Sequence, residues 1–203
     1  MDATGWILAV LLGLSLAASA GLNAFLPLLM LSIAGRFHLA GIDLSGNFAW
    51  LGSETAIIIL AVATVLEVIG DKIPAVDHAL HSVGLVVRPI AGWLAAASVL
   101  GGADPAVAAV VGLIIGAPTA LGFHAAKAST RTVSSATTLG LANPFLSALE
   151  DFLSFVVSLV GFIAPVLVPI VLGLLAWFLW RMAKKAKGTM AFLRRSVTQS
   201  RET

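Results

Sequence analysis

The stretch DFLSFVVSLVGFIAPVLVPIVLGLLAWFLWR, Asp151 to Arg181, holds no charge between its two ends. One crossing of a ~30 Å hydrocarbon core takes roughly 17–25 apolar residues. The apolar region over 148–183 has thirty-six. It therefore reads as two crossings, 148–164 and 166–183, with Ala164-Pro165 as the turn and Pro169 just inside the second helix.

The same test, carried outward, gives four more spans over 6–35, 54–70, 88–103 and 105–126. The expected fold is an all-α polytopic membrane bundle of six spans over residues 1–183, followed by a basic tail, 184–203. The first span, at thirty residues, is too long for a straight crossing. Gly21, Asn23 and Pro27 near its middle predict a tilted or broken helix. Ala18-Ser19-Ala20 resembles a cleavage site, but no Lys or Arg precedes the apolar run and the run continues to Ala34, so a retained span is expected.

Composition agrees with a membrane protein: 59% hydrophobic and 11% charged residues, with mean hydropathy +1.03. There is no cysteine, hence no disulfide, thiol nucleophile or Cys-based metal site. The formal charge of +2 is concentrated in the tail and a few loops, which gives no nucleic-acid-binding signature.

Charge placement predicts an orientation. Lys72 and Arg88 in the 71–88 loop, Lys127 and Arg131 in the 127–147 loop, and Arg181, Lys184, Lys185, Lys187, Arg194, Arg195 and Arg201 in the tail fall on one side, with Arg36 alone on the other. Both termini are then expected in the cytoplasm. Trp6, Trp177 and Trp180 would anchor the inner interface and Trp50 the outer one. The tail, with Met190, Phe192 and Leu193 among basic residues, is expected on anionic inner-leaflet lipids.

The chemistry lies in three segments. In the first, Glu67 and Asp71 share a helix face, Pro74 breaks that helix, and Asp77, His78 and His81 follow on a short interfacial or re-entrant helix. In the second, His124, Lys127 and Arg131 align at +3 and +4 beside small residues, a stripe suited to a phosphate or carboxylate. In the third, Asn143-Pro144 starts a helix carrying Glu150 and Asp151 in its early turns. The hydroxyl-rich run from Ser129 to Thr138 reads as a cytoplasmic loop or a cavity lining. The five acids nearly balance Lys72, Arg88, Lys127 and Arg131, so internal pairing and ligand binding are both open readings.

The order Gly21-x-Asn23-Ala24-Phe25-Leu26-Pro27, Glu67-x-x-x-Asp71-Lys72-Ile73-Pro74-x-Val76-Asp77-His78 running to Arg88-Pro89-x-Ala91-Gly92, His124-x-x-Lys127-Ala128-x-x-Arg131, and Asn143-Pro144-Phe145 leading to Glu150-Asp151 resembles an uncharacterised family of small bacterial inner-membrane proteins, catalogued as a domain of unknown function. The resemblance covers about residues 10–180. It implies location in the bacterial inner membrane and supports the choice of residues, with no activity attached. The family's longer, acidic Ser-Pro-Glu-Pro-Phe-Ser-Asn segment is replaced here by Leu141-Ala142-Asn143-Pro144-Phe145.

No P-loop, Gly-x-Ser-x-Gly elbow or His-Glu-x-x-His motif is present. Three function classes follow. A transporter-type protein would move a small anionic solute or a phosphate-bearing lipid. Arg88, His124, Lys127, Arg131 and Asn23 would bind it, and Glu67, Asp71, Glu150 and Asp151 would carry a coupling proton or cation. Irregular first and fourth spans, the latter at Pro118, Gly122 and His124, point to a central site. A membrane enzyme would hold a divalent metal on Asp77, His78 and His81 and act on a lipid phosphate. A non-catalytic assembly factor would use its Gly- and Ala-rich stretches, Ala91–Ala97 and Gly112–Gly116, for close helix packing within a protomer or in a homo-oligomer. The transporter reading is the one adopted.

Overall fold

The computed structural model describes residues 2–44, 46–181 and 184, with backbone only at positions 74, 75 and 78. Expectations for the tail from 185 onward, and for the His78 side chain, lie outside the described residues.

The described residues form seven α-helices: α1 (Ala3–Leu22), α2 (Leu26–Arg36), α3 (Glu54–Gly70), α4 (Pro74–Ser98), α5 (Pro105–Thr138), α6 (Asn143–Ile163) and α7 (Pro165–Arg181). Short 3-10 turns occupy Leu39–Gly41 and Gly46–Gly52, and α7 opens with a 3-10 turn. Local chemistry sets most starts. Asp2 caps α1 through the Gly5 amide, Ser53 caps α3 through Ala56, and Asp104 caps α5 through Ala106 and Val107. Prolines stand in the first turns of α2, α4, α5, α6 and α7, where no intrahelical N–H is needed.

Four helices are long and apolar enough to cross a membrane, and the pair Gly46–Gly52 and Glu54–Gly70, bent by 63°, makes a fifth. α2 and α7 are shorter apolar helices. Large side chains on the outer faces, such as Ile59, Leu66, Val86, Ile114 and Ile170, are more than half exposed, as in a bundle whose solvent there is lipid. The protein is a membrane-embedded helical bundle.

α1 is the central helix, packed by α4, α5 and α6. Its inward face is small and partly polar, so neighbours come close. A Cβ on Gly13 would stand 3.2 Å from the Ala96 backbone, and one on Gly161 of α6 would stand 2.6 Å from Ser15 Oγ. α4 and α5 meet in the same way, with Gly112 against Ala97 and Gly92 against Ala120, each at 2.6 Å from a notional Cβ. Both glycine-rich stretches are thus used inside the protomer.

Packing also orients the helices. Arg88 meets Gly21 and Ala96 meets Gly13, so α1 runs antiparallel to α4. α2 leaves Glu67, near the end of α3, and Ser32 Oγ reaches the Leu51 carbonyl near its start. α2 is therefore antiparallel to α3. Since α3 and α4 form a hairpin through three residues, α2 is parallel to α4 and folds back along α1.

Four expectations are corrected by this. The region 6–35 breaks where Asn23 and Pro27 predicted, but into two antiparallel helices rather than one crossing, reversed at Asn23–Phe25, because the freed backbone groups there find charged partners. The fourth span is unbroken at Pro118, which α5 passes through; in a packed apolar bundle the lost amide is tolerated. The 71–88 and 127–147 loops are mostly helix, α4 starting at Pro74 and α5 running on to Thr138. The third span is accordingly longer than 88–103.

The two ends of the described chain do not share a face. Trp6, Ala9 and Val10 pack with Leu100, Ala103 and Ala108 at the α4–α5 turn, whereas Leu175 and Leu179 pack with Leu22 at the other end. Trp6 thus lies away from Trp177 and Trp180. Hydropathy alone counts the 6–35 stretch as one crossing, and a hairpin there inverts the parity.

Candidate functional site

Asn23 and Ala24 at the α1–α2 reversal are 0% and 2% exposed. Such a buried turn leaves C-terminal carbonyls of α1 and N-terminal amides of α2 without helical partners. Charged side chains from the surrounding helices satisfy both sets.

On the amide side, Glu67 Oε2 accepts from Ala24 N at 2.9 Å and Phe25 N at 3.3 Å, and Oε1 from Ala24 N at 3.1 Å. A carboxylate suits the positive end of α2. Asn23 Oδ1 accepts from Leu26 N at 3.0 Å. On the carbonyl side, Arg88 Nη1 donates to Gly21 O at 2.6 Å and Lys127 Nζ to Leu22 O at 2.9 Å. The two sets are joined, since Arg88 Nη2 lies 2.8 Å from Glu67 Oε1.

The network continues toward the end of the bundle where α3 turns into α4. Lys127 Nζ lies 2.6 Å from Asp71 Oδ2 and 3.3 Å from Glu150 Oε2. Arg131 Nη2 lies 2.6 Å from Glu150 Oε2 and 3.2 Å from Asp71 Oδ2, and its Nη1 bonds Asp77. Asp151 is shared between Asn23 Nδ2 at 2.9 Å and Lys72 Nζ at 3.4 Å. Asp71 lies just beyond the end of α3. Burial would raise its carboxyl pKa, but Lys127 and then Arg131 outweigh burial and hold it below the ordinary carboxylate range.

Beside this network lies a cavity of about 610 Å³. It is lined by Arg88, Lys127, Arg131, Asp71, Asp77, His81 and His124, together with Thr132, Ser135 and the Leu139-Gly140 turn. His124 is 1% exposed, and apart from the His81 backbone beside one of its ring nitrogens it has no hydrogen-bond partner among the described residues. Its ring centroid is 4.7 Å from that of His81. Five elements therefore supply one site: the α1–α2 turn, the α3 end, α4, α5 and α6.

Of the residues singled out in the sequence, Asn23, Glu67, Asp71, Asp77, His81, Arg88, His124, Lys127, Arg131, Glu150 and Asp151 all fall in the network or on the cavity wall. Their roles differ from a simple division into binders and coupling groups. Glu67, Arg88 and Lys127 hold backbone, and every described cation of the network is engaged with a carboxylate. Asp77 pairs with Arg131, and among the described residues no three His, Asp or Glu side chains gather as a metal site.

Sequence reasoning missed the Gly21 and Leu22 carbonyls and the Ala24 and Phe25 amides. A signal was present in Asn23 followed by Pro27, a break with a proline-started helix after it. It also left Ser129–Thr138 between loop and cavity lining. Thr132 and Ser135 continue the helical face of His124, Ala128 and Arg131 by one turn and join the cavity wall.

A family model described as a domain of unknown function (DUF4126) matches residues 10–185. No curated protein and no solved structure matches the chain.

Proposed function

We propose, taking as premise that the chain belongs to the DUF4126 family over residues 10–185, that it is a transporter-type protein of the bacterial inner membrane. It would move a small anionic solute or a phosphate-bearing lipid through the polar cavity. One observation carries this reading: a 610 Å³ cavity bounded by Arg88, Lys127, Arg131 and a buried His124 with a ring nitrogen to spare, inside an apolar bundle. Ionisable groups at this depth are costly and mark pathways for polar cargo.

The buried reversal supports the same reading. Irregular backbone inside a membrane protein is tolerated where it is buried or lines a cavity, and in transporters it sits beside the central site. Here the free helix ends are occupied by Glu67, Arg88 and Lys127, so cargo would act on them through the shared carboxylates. By the positive-inside rule the cavity end, with Lys72, Lys127, Arg131 and Arg181, faces the cytoplasm. Ala3 then lies on the far side. The six-span, both-ends-inside arrangement gives way in this proposal to seven traverses, α1 to α7, with α2 as a short return crossing.

Flux into proteoliposomes tests it. Anion- or lipid-dependent flux that Glu67→Gln abolishes in folded protein is the expected result, and unchanged flux would remove Glu67 from the mechanism. The metal-dependent enzyme and the assembly factor gain no observation of their own.

A further inference from the structure

Charges in the network do not cancel evenly. Arg88 is matched by Glu67 and Lys72 by Asp151. The remaining two cations, Lys127 and Arg131, face three carboxylates, Asp71, Asp77 and Glu150. As described, this inner group carries one negative charge in excess and has no unpaired cation.

A simple anion fits such a site poorly. To reach Arg131 it must displace a carboxylate, and the displaced group would then stay beside it in a medium of low dielectric constant, where like charges repel strongly. Asp77 is the carboxylate open to displacement. Its side chain is 16% exposed against 2% for Asp71 and 6% for Glu150, and Arg131 is its one ion-pair partner among the described residues.

A ligand with a cation next to its anion resolves both difficulties. Its anionic group takes the place of Asp77 on Arg131, and its cation neutralises Asp77. His124 is an independent pointer to a ligand at this wall: a buried ring that the His81 backbone can satisfy at one nitrogen at most, leaving the other unused by any described residue. The cavity volume is within the usual range for small ligands.

We propose that the cavity binds a zwitterion, an ammonium group a few bonds from a phosphate or carboxylate, with Arg131 on the anion, Asp77 on the ammonium and His124 on a remaining polar atom. The proposal rests on the anion-binding reading above and narrows its substrate class. The same chemistry occurs in an ethanolamine-phosphate lipid headgroup and in a free small zwitterion.

The test uses the full chain in maltoside micelles, titrated with inorganic phosphate and with free phosphoethanolamine. A parallel arm uses native mass spectrometry from nanodiscs of phosphatidylglycerol with and without phosphatidylethanolamine. Phosphoethanolamine is expected to bind about tenfold more tightly than phosphate, the equivalent of ~1.4 kcal/mol. In Asp77→Asn the preference disappears and inorganic phosphate binds more tightly than to the unmodified chain, since Arg131 is released.

Retention of phosphatidylethanolamine with no affinity for free phosphoethanolamine supports the proposal with a lipid source; affinity for the free compound without lipid retention supports it with a soluble one. Equal affinity for phosphate and phosphoethanolamine in the unmodified chain overturns the zwitterion inference and leaves the anion reading standing. Absence of binding in every arm overturns both. The comparison on the unmodified chain decides the matter even where Asp77→Asn does not fold.

Discussion

Glu67 and Arg88, 2.8 Å apart across the α3–α4 hairpin, grip opposite sides of one chain reversal. Glu67 accepts the amides that begin α2, and Arg88 donates to the Gly21 carbonyl that ends α1. With side chains 6% and 3% exposed, neither has water as a substitute partner.

Removing one member should therefore cost more than removing both. Arg88→Met alone leaves a buried carboxylate unpaired and is expected to destabilise by about 3–5 kcal/mol. Glu67→Gln/Arg88→Met should recover part of that loss. Denaturant unfolding in micelles, as a double-mutant cycle, measures the coupling; additive losses would show that the pair does not act as a unit.

Arg131 holds three carboxylates from the α3 end, α4 and α6 with one planar fork. Arg131→Lys keeps the charge but lacks the geometry. Loss of ligand binding with near-normal thermal stability is expected, because Lys127 still bridges Asp71 and Glu150. A ligand affinity unchanged from the parent chain would exclude Arg131 from recognition.

Asp71 sets a pH dependence. Its folded-state pKa is lowered from 3.8. A depressed carboxylate stabilises fully above the unfolded-state value and loses that contribution as pH falls through the folded-state value. Stability should hold from neutral pH down to about 4 and fall below it. Asp71→Asn should flatten this acid limb in pH-resolved melting curves; an unchanged acid limb would assign it to other carboxylates.

Close helix contact at Gly112 is a packing prediction of another kind. Its Cβ would stand 2.6–2.7 Å from Ala97 side chain and backbone. Gly112→Val should destabilise by about 1–3 kcal/mol through overpacking. Gly122→Ala, with nothing within 4 Å, should not. Melting temperatures of the two variants separate the cases.

Opposite placement of Ala3 and Arg181 is open to direct test, since the chain has no native cysteine. Single cysteines at Asp2 and Lys184 should react with impermeant maleimide from opposite sides of sealed vesicles. Labelling from one side only would restore the even-crossing arrangement.

The all-helical membrane class was legible in composition and in uninterrupted runs such as Asp151 to Arg181, because the bilayer imposes a length and a hydropathy that no packing detail alters. Ala164-Pro165 was legible as a turn for a local reason, the missing amide of proline. The site residues could be named because charges are rare in this chain, so each one stood out.

Local signals failed where partners came from afar. Asn23 and Pro27 marked a break but not its direction. The fold back of α2 depends on Glu67, forty-three residues beyond Ala24, and on Lys127, one hundred and five beyond Leu22. Pro118 read as a second break, and packing on both sides of α5 kept it helical. Whether Lys127, Arg88 and Arg131 were free to bind or already paired was likewise open in the sequence. Spacing along a helix fixes a face, whereas the neighbour on that face is chosen by how distant helices pack. The sequence by itself determined the solvent this protein lives in and the identity of its few charges. Tertiary structure alone decided which charges meet, because ion pairing at a buried chain reversal requires several helices, each contributing one side chain, to converge on the same few backbone groups.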